Sequence, residues 1–268
     1  VSATITWDVA GVTVKSITAY REPGWRGEYD NDGTNISFLQ AKPTQTSDQW
    51  SQELDVAGTA LDDRLDWIVG LYYFQQDSMS EYTYELAAIQ PVLEAAFSLP
   101  PGGLADPALN PVYAVRYNTG LGSAIPFNDF HTEQETESRA VFAQGTYHLN
   151  DATRLTAGAR YTSDTKDIVQ SWHVNISPAG CSNLEQGEKW NEVTWKLGAD
   201  RDLFDNMLLY GSVAQGFHAG GFNGGSCGDE YDPEQVIAYE VGLKSQFFDN
   251  RVRLNLAAFY YDYQDIQL

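Results

Sequence analysis

The stretch AQGFHAGGFNGG, Ala214 to Gly225, packs five glycines into twelve residues. Glycine runs cradle phosphates in nucleotide enzymes, so spacing is the first test. A dinucleotide fingerprint needs G-x-G-x-x-G between a strand and a helix. Here no two glycines are separated by a single residue. A P-loop needs Lys and then Ser or Thr after its last glycine. Gly216 and Gly221 have the first spacing, but Phe222 and Asn223 follow. The run is read as backbone punctuation that lets a strand bulge and turn into a loop.

Other candidate chemistry is equally thin. His131, His148, His173 and His218 do not pair at metal-ligand spacing, so no metal site is assigned. Glu133, Glu135 and Glu137 alternate along one strand and share a face. A glycosidase needs two carboxylates converging across a cleft, whereas three on one strand face line a wet lumen or a solvated strand end. No Ser/His/Asp set can be assembled. No catalytic residue, enzyme activity or cofactor is assigned. With 16 basic residues against 37 acidic ones, net −21, there is no basic footprint for nucleic acid.

The elements that carry these residues are strands. Apolar side chains recur with period two, as half-buried strands require. In RLDWIVGLYYFQQD, Leu65, Trp67, Val69, Leu71 and Tyr73 share a face. In RLTAGARYTSDTK, Leu155, Ala157, Ala159 and Tyr161 oppose Arg154, Thr156, Gly158 and Arg160. Ten strands are expected at 2–8, 11–21, 47–58, 64–77, 132–149, 153–167, 190–202, 206–218, 235–248 and 251–266. One short helix is expected within 84–97, where YELAAIQPVLEAAF has helical spacing.

Their connections alternate between short and long. The short ones, 8–11, 59–63, 149–152, 203–206 and 249–250, are rich in Asp, Asn and Gly, as tight turns are. The long ones run 22–46, 78–131, 168–189 and 219–234 and carry both cysteines. One edge of the sheet then holds turns and the other holds elaborate loops. That is the layout of an up-and-down transmembrane β-barrel, with short periplasmic turns and long extracellular loops. Strands of about 9–11 residues cross a bilayer when tilted. Trp7, Tyr20, Tyr73, Tyr147, Tyr210, Tyr260 and Tyr261 are candidates for the interfacial aromatic girdles. No apolar run reaches the length of a membrane helix. The chain opens without Met or a signal peptide and stops inside a strand, so an internal fragment is expected.

The strings VKSITAYR, DQWSQELDVAG, LDWIVGLYYFQQD, ESRAVFAQGTYHLND, RLTAGARYTSDTK and LLYGSVAQGFHAGGFN occur in this order. PEQVIAYEVGLKSQFFDNRVRLNLAAFYYDYQDIQL follows them. Together they resemble the barrel domain of TonB-dependent outer-membrane receptors. The last string is the most specific, with its "PE...YE.G.K" strand, "FFDNR" turn and "R..N.AAFYYDY.D.Q" strand.

The resemblance implies about ten strands of a 22-stranded barrel, with residues 1–268 forming one partial barrel domain. The plug, signal peptide, TonB-contacting box and terminal strands would lie outside it. It implies active transport of a scarce nutrient across the Gram-negative outer membrane, most often a ferric siderophore, with TonB–ExbB–ExbD as the energy source and membrane lipid around the wall. A passive porin and a soluble β-rich carbohydrate-binding or hydrolytic protein are the alternatives. Because their loops share one side of that barrel, Cys181 and Cys227 are expected to form a disulfide, for which the chain-entropy model gives roughly 4 kcal/mol. Arg154, Arg160, Glu240, Lys244 and Arg253 are expected to line a polar, salt-bridged lumen, Lys244 and Arg253 being alternatively placed against a plug. Trp172, His173, His218 and Phe222 are nominated for ligand contact on their position in loops or at strand ends.

Overall fold

The computed structural model describes residues 1–30, 39–86, 125–174, 180–223, 227–249 and 251–267. Among the described residues all fourteen elements are strands. In chain order they are β1 (Ser2–Val9), β2 (Val12–Arg21), β3 (Gly24–Arg26), β4 (Tyr29–Asp30), β5 (Leu39–Ala60), β6 (Leu65–Leu86) and β7 (Ile125–Asn150). Then follow β8 (Thr153–Val174), β9 (Gly180–Phe204), β10 (Met207–His218), β11 (Gly221–Phe222), β12 (Glu230–Tyr231), β13 (Glu234–Phe247) and β14 (Val252–Gln264). Ten of them form one antiparallel path, β1-β2-β5-β6-β7-β8-β9-β10-β13-β14, matching the ten expected strands. The short β3 and β4 pair with β5, and β11 with β12 makes a separate hairpin. No helix of the described residues is long and apolar enough to cross a membrane, which leaves a strand barrel untouched.

The short-turn end is built by local stereochemistry. Between β1 and β2 the chain reverses at Ala10 (φ 50°) and Gly11 (φ 83°). Positive φ at both turn positions matches the right-handed twist of the flanking strands.

Register divides the side chains into two faces. Val69, Leu71, Val141, Tyr161, Leu197 and Val241 lie on one, and Leu71, at 57% exposed, typifies its openness. Such a continuous exposed apolar surface needs lipid rather than water. Among the described residues the buried hydrophobic side chains are Ala41, Ala140, Ile168, Ala219 and Phe222. The registers set Ala41, Ala140 and Ile168 on the inner face. The small core therefore sits inside, towards the long-loop end.

Aromatics mark the edges of the apolar band. Tyr20 and Trp50 are cross-strand partners, and the Trp50 and Tyr73 rings lie 5.3 Å apart. Trp7, Trp67 and Tyr147 mark the other edge on the same face. Tyr260 packs near Tyr239 on that face, ring to ring at 6.2 Å. Two girdle candidates are corrected. Tyr210 pairs with Gly242 and Asp200, and Tyr261 with Ala238, which sets both on the inner face. Parity along the strand overrides nearness to its end.

The long strands outrun the apolar band. β5 and β6 each have 22 residues, β7 has 26 and β9 has 25. Segments expected as loops within 22–46, 78–131 and 168–189 thus continue the sheet. Above the band the outer face turns polar, but the backbone ladder persists because its hydrogen bonds need only a neighbouring strand. Of the segment expected to be helical, Tyr84–Leu86 belong to β6 and pair with β7; the remainder lies outside the described residues.

Candidate ligand site on the inner face

Above the band, consecutive cross-strand rows on the inner face form two chemical layers. One row joins Pro43, Tyr82, Phe130 and Trp172, with Ala41, Tyr84 and Asn128 in the row beyond it. Phe130 and Trp172 stack at 5.5 Å with planes 6° apart, and Tyr84 meets Phe130 edge-on at 6.2 Å. Trp172 Nε1 donates to Asn128 Oδ1 at 2.6 Å, which fixes the indole. Gln45 Nε2 donates to Tyr82 Oη at 2.8 Å.

Below this aromatic layer lie amides and hydroxyls. One row is Gln45, Ser80, Thr132 and Gln170. The next is Ser47, Ser78, Gln134, Ile168 and Gln186. A third runs Arg21, Gln49, Gln76, Thr136, Lys166 and Glu188 and brings charge to the inner face. Deeper, at membrane height, come Asp55, Lys15 and Arg160; the Arg160 guanidinium lies over Tyr72 at 5.3 Å and Phe142 at 5.7 Å.

The glycine run forms a lid over this site. Ala219, Gly220, Gly221 and Phe222 are all buried. Lys166 Nζ donates to the Gly220 carbonyl at 2.6 Å and sits over the Trp190 ring at 5.7 Å. Lys166 stands above the aromatic girdle, and burial pushes its ammonium below the ordinary lysine value. Gln170, only 3% exposed, donates from Nε2 to the Asn223 carbonyl at 2.8 Å. A Cβ on Gly220 would meet the Trp190 ring at 2.9 Å, and one on Gly221 would meet Tyr231 Oη at 2.5 Å. Glycine is needed here for close approach, not for phosphate. Cys181, at the start of β9, is joined to Cys227 beyond the lid, with Cα atoms 6.0 Å apart.

Between wall and lid lies a cavity of about 440 Å³. Tyr82, Tyr84, Phe130, Ile168 and Phe222 supply its apolar lining, and Gln45, Ser78, Ser80, Thr132 and Gln134 its polar groups. Its size and mixture suit a small molecule.

The four nominated contact residues separate. Phe222 lines the cavity, and Trp172 stacks on a residue that does. His173 falls on the outer face, with Nδ1 3.1 Å from Asp129 Oδ2. His218 ends β10 opposite Glu234 and lines no part of the cavity. Of the five charged residues expected inside, all lie on the inner face, and among the described residues only Arg154 makes a salt bridge, to Asp200 and to Asp202 at 2.8 Å. Glu240 accepts from Tyr210 Oη at 2.6 Å, and the Lys244 ammonium lies 5.1 Å from the Tyr210 ring. Glu133, Glu135 and Glu137 take the outer face above the apolar band, the solvated strand end of the two placements. Tyr82, Tyr84, Phe130 and their polar neighbours were missed because they fall in segments read as loops. The usable sign was period two in SMSEYTYE, where Ser78, Ser80, Tyr82 and Tyr84 alternate with Met79, Glu81 and Thr83.

The family model for the TonB dependent receptor-like β-barrel matches residues 2–268. The chain belongs to the TonB-dependent receptor family. It is thus part of an outer-membrane barrel, in a family of transport receptors, and its apolar face meets lipid. The pesticin receptors of Yersinia pestis and Yersinia enterocolitica are each 23% identical over 282 aligned positions, covering 98% of this chain. The chain spans 41% of the length of these curated relatives. Among solved structures, the ferric yersiniabactin uptake receptor FyuA from Yersinia pestis superposes with a TM-score of 0.77 at 20% identity. That match covers 100% of this chain and 36% of FyuA. The siderophore receptor PiuA from Acinetobacter baumannii gives 0.63 at 18% identity, covering 96% and 39%. At these identities the superpositions speak for the fold of this TonB-dependent receptor segment.

Proposed function

We propose that this chain is part of the barrel wall of an active transporter that imports a ferric siderophore, with energy supplied by TonB–ExbB–ExbD. In this reading residues 1–268 are one partial domain of a longer receptor, completed by a plug, a TonB-contacting segment and further strands. The lidded cavity on the inner face carries the reading, because it is where a ligand descending from outside first meets shaped, partly apolar walls. Relatives named as pesticin and siderophore receptors support it, as do the share of their length that the chain spans and the family itself. Phe222 and Trp172 are the residues we assign to ligand contact, His173 and His218 being placed less well for it.

The test is uptake of radioactive iron, presented as ferric chelates, by iron-starved Gram-negative cells carrying the full-length receptor. Uptake should depend on the receptor and stop when TonB is deleted. Uptake that continues without TonB would make the barrel a passive porin.

A further inference from the structure

The cavity is built without charge. Tyr82, Tyr84, Phe130 and Phe222 give it flat apolar walls, Gln45 and Gln134 give it amides, and Ser80 and Thr132 give it hydroxyls. Among the described residues no Lys, Arg, Asp or Glu lines it. Below it, Lys166 is already committed to the Gly220 carbonyl and to Trp190, and Arg21 stands at the far end of the same cross-strand row. On the opposite face of the same strands, Asp48, Asp77, Glu135 and Asp167 follow one another as direct cross-strand partners. The whole chain carries a net charge of −21.

These features select by charge. An anionic chelate approaches through an acidic field and then loses hydration in a cavity with no counter-charge, and burying an unpaired charge is costly. Carboxylate and phosphate recognition normally uses Arg in bidentate geometry, which this lining lacks. A neutral chelate avoids both costs. Its carbonyl and hydroxyl groups can be met by Gln, Ser and Thr, and a planar ring can lie against Tyr or Phe.

We propose that the cargo is an iron chelate without net charge that presents a flat aromatic or apolar face, and that the mouth cavity is its selectivity site. The inference rests on the siderophore reading and narrows it.

Binding to the full-length receptor in detergent, followed by quenching of tryptophan fluorescence, tests this. The probes are a neutral ferric trihydroxamate, a neutral ferric chelate bearing phenyl rings, and a trianionic ferric tris-catecholate. The neutral pair should bind at least about tenfold more tightly than the trianion, the ring-bearing one best. Gln134→Lys should shift preference towards the trianion, and Ser80→Lys, on the neighbouring row, should do the same if the first variant fails to fold. A trianion bound as well as or better than the neutral chelates overturns the inference and leaves siderophore uptake standing. Failure of all three to bind, together with no receptor-dependent iron uptake from any of them, overturns both.

Discussion

Lys166 Nζ hydrogen-bonds the Gly220 carbonyl across 54 residues of sequence, tying the wall of the lumen to its lid. The contact joins the strand that begins at Thr153 to the turn that begins after His218. It converts a glycine-rich loop into a packed element, and the lid's position then defines the cavity.

Adding a methyl group to the lid tests this seat. Gly220→Ala brings a Cβ to 2.5 Å from the Tyr231 carbonyl oxygen and 2.9 Å from the Trp190 ring, so something must shift. The lid should lift, residues 219–223 should become protease-sensitive in the membrane-embedded receptor, and affinity for the cargo should fall at least about tenfold. Lys166→Met should produce the same protease pattern more weakly, since Phe222 remains apolar and can still pack.

The Cys181–Cys227 bridge closes a separation of 46 residues. Replacing both cysteines by serine should lower unfolding free energy by at most roughly 4 kcal/mol on the chain-entropy model. Heat-modifiable mobility on gels, with and without reductant, measures this. The oxidised parent should hold its folded band to a higher temperature than the reduced parent or the variant.

Four carboxylates in direct cross-strand succession repel one another. Like charges facing each other destabilise a sheet, and salt screens exposed charges. The double variant Asp77→Asn, Glu135→Gln should therefore raise the unfolding midpoint at low ionic strength. The gain should shrink as salt is added, which separates relieved repulsion from a change in packing.

The turn at Ala10–Gly11 holds a non-glycine residue at φ 50°. Asn tolerates this left-handed conformation better than Ala, and Asn-Gly is the favoured pair in such turns. Ala10→Asn should stabilise the hairpin by a few tenths to about 1 kcal/mol, visible as a small rise in the same gel-shift midpoint.

The ten strands and their tight turns were readable because lipid enforces a strict period-two apolar face. That enforcement stops at the aromatic girdle. Ser78 to Leu86 continue β6 with no apolar stripe to announce it. The inner placement of Tyr210 was available in principle, since Leu209 and Val213 fix the parity of that strand. Burial of Phe222 was not available. It depends on Ile168 and Trp190, which reach the lid only after three strands have taken their register. The cavity was hidden for the same reason, being assembled by rows that cross five strands rather than by any local motif.

Strict parity also governs how the wall can vary in length. In the band between Trp67 and Tyr73, inserting one residue would exchange lipid-facing Val69 and Leu71 for their inward neighbours, turning that part of the wall inside out. Inserting two would only lengthen the strand. Descendants of this barrel are thus free to drift in height by even steps, while odd steps are confined to the loops, where no face has to be kept.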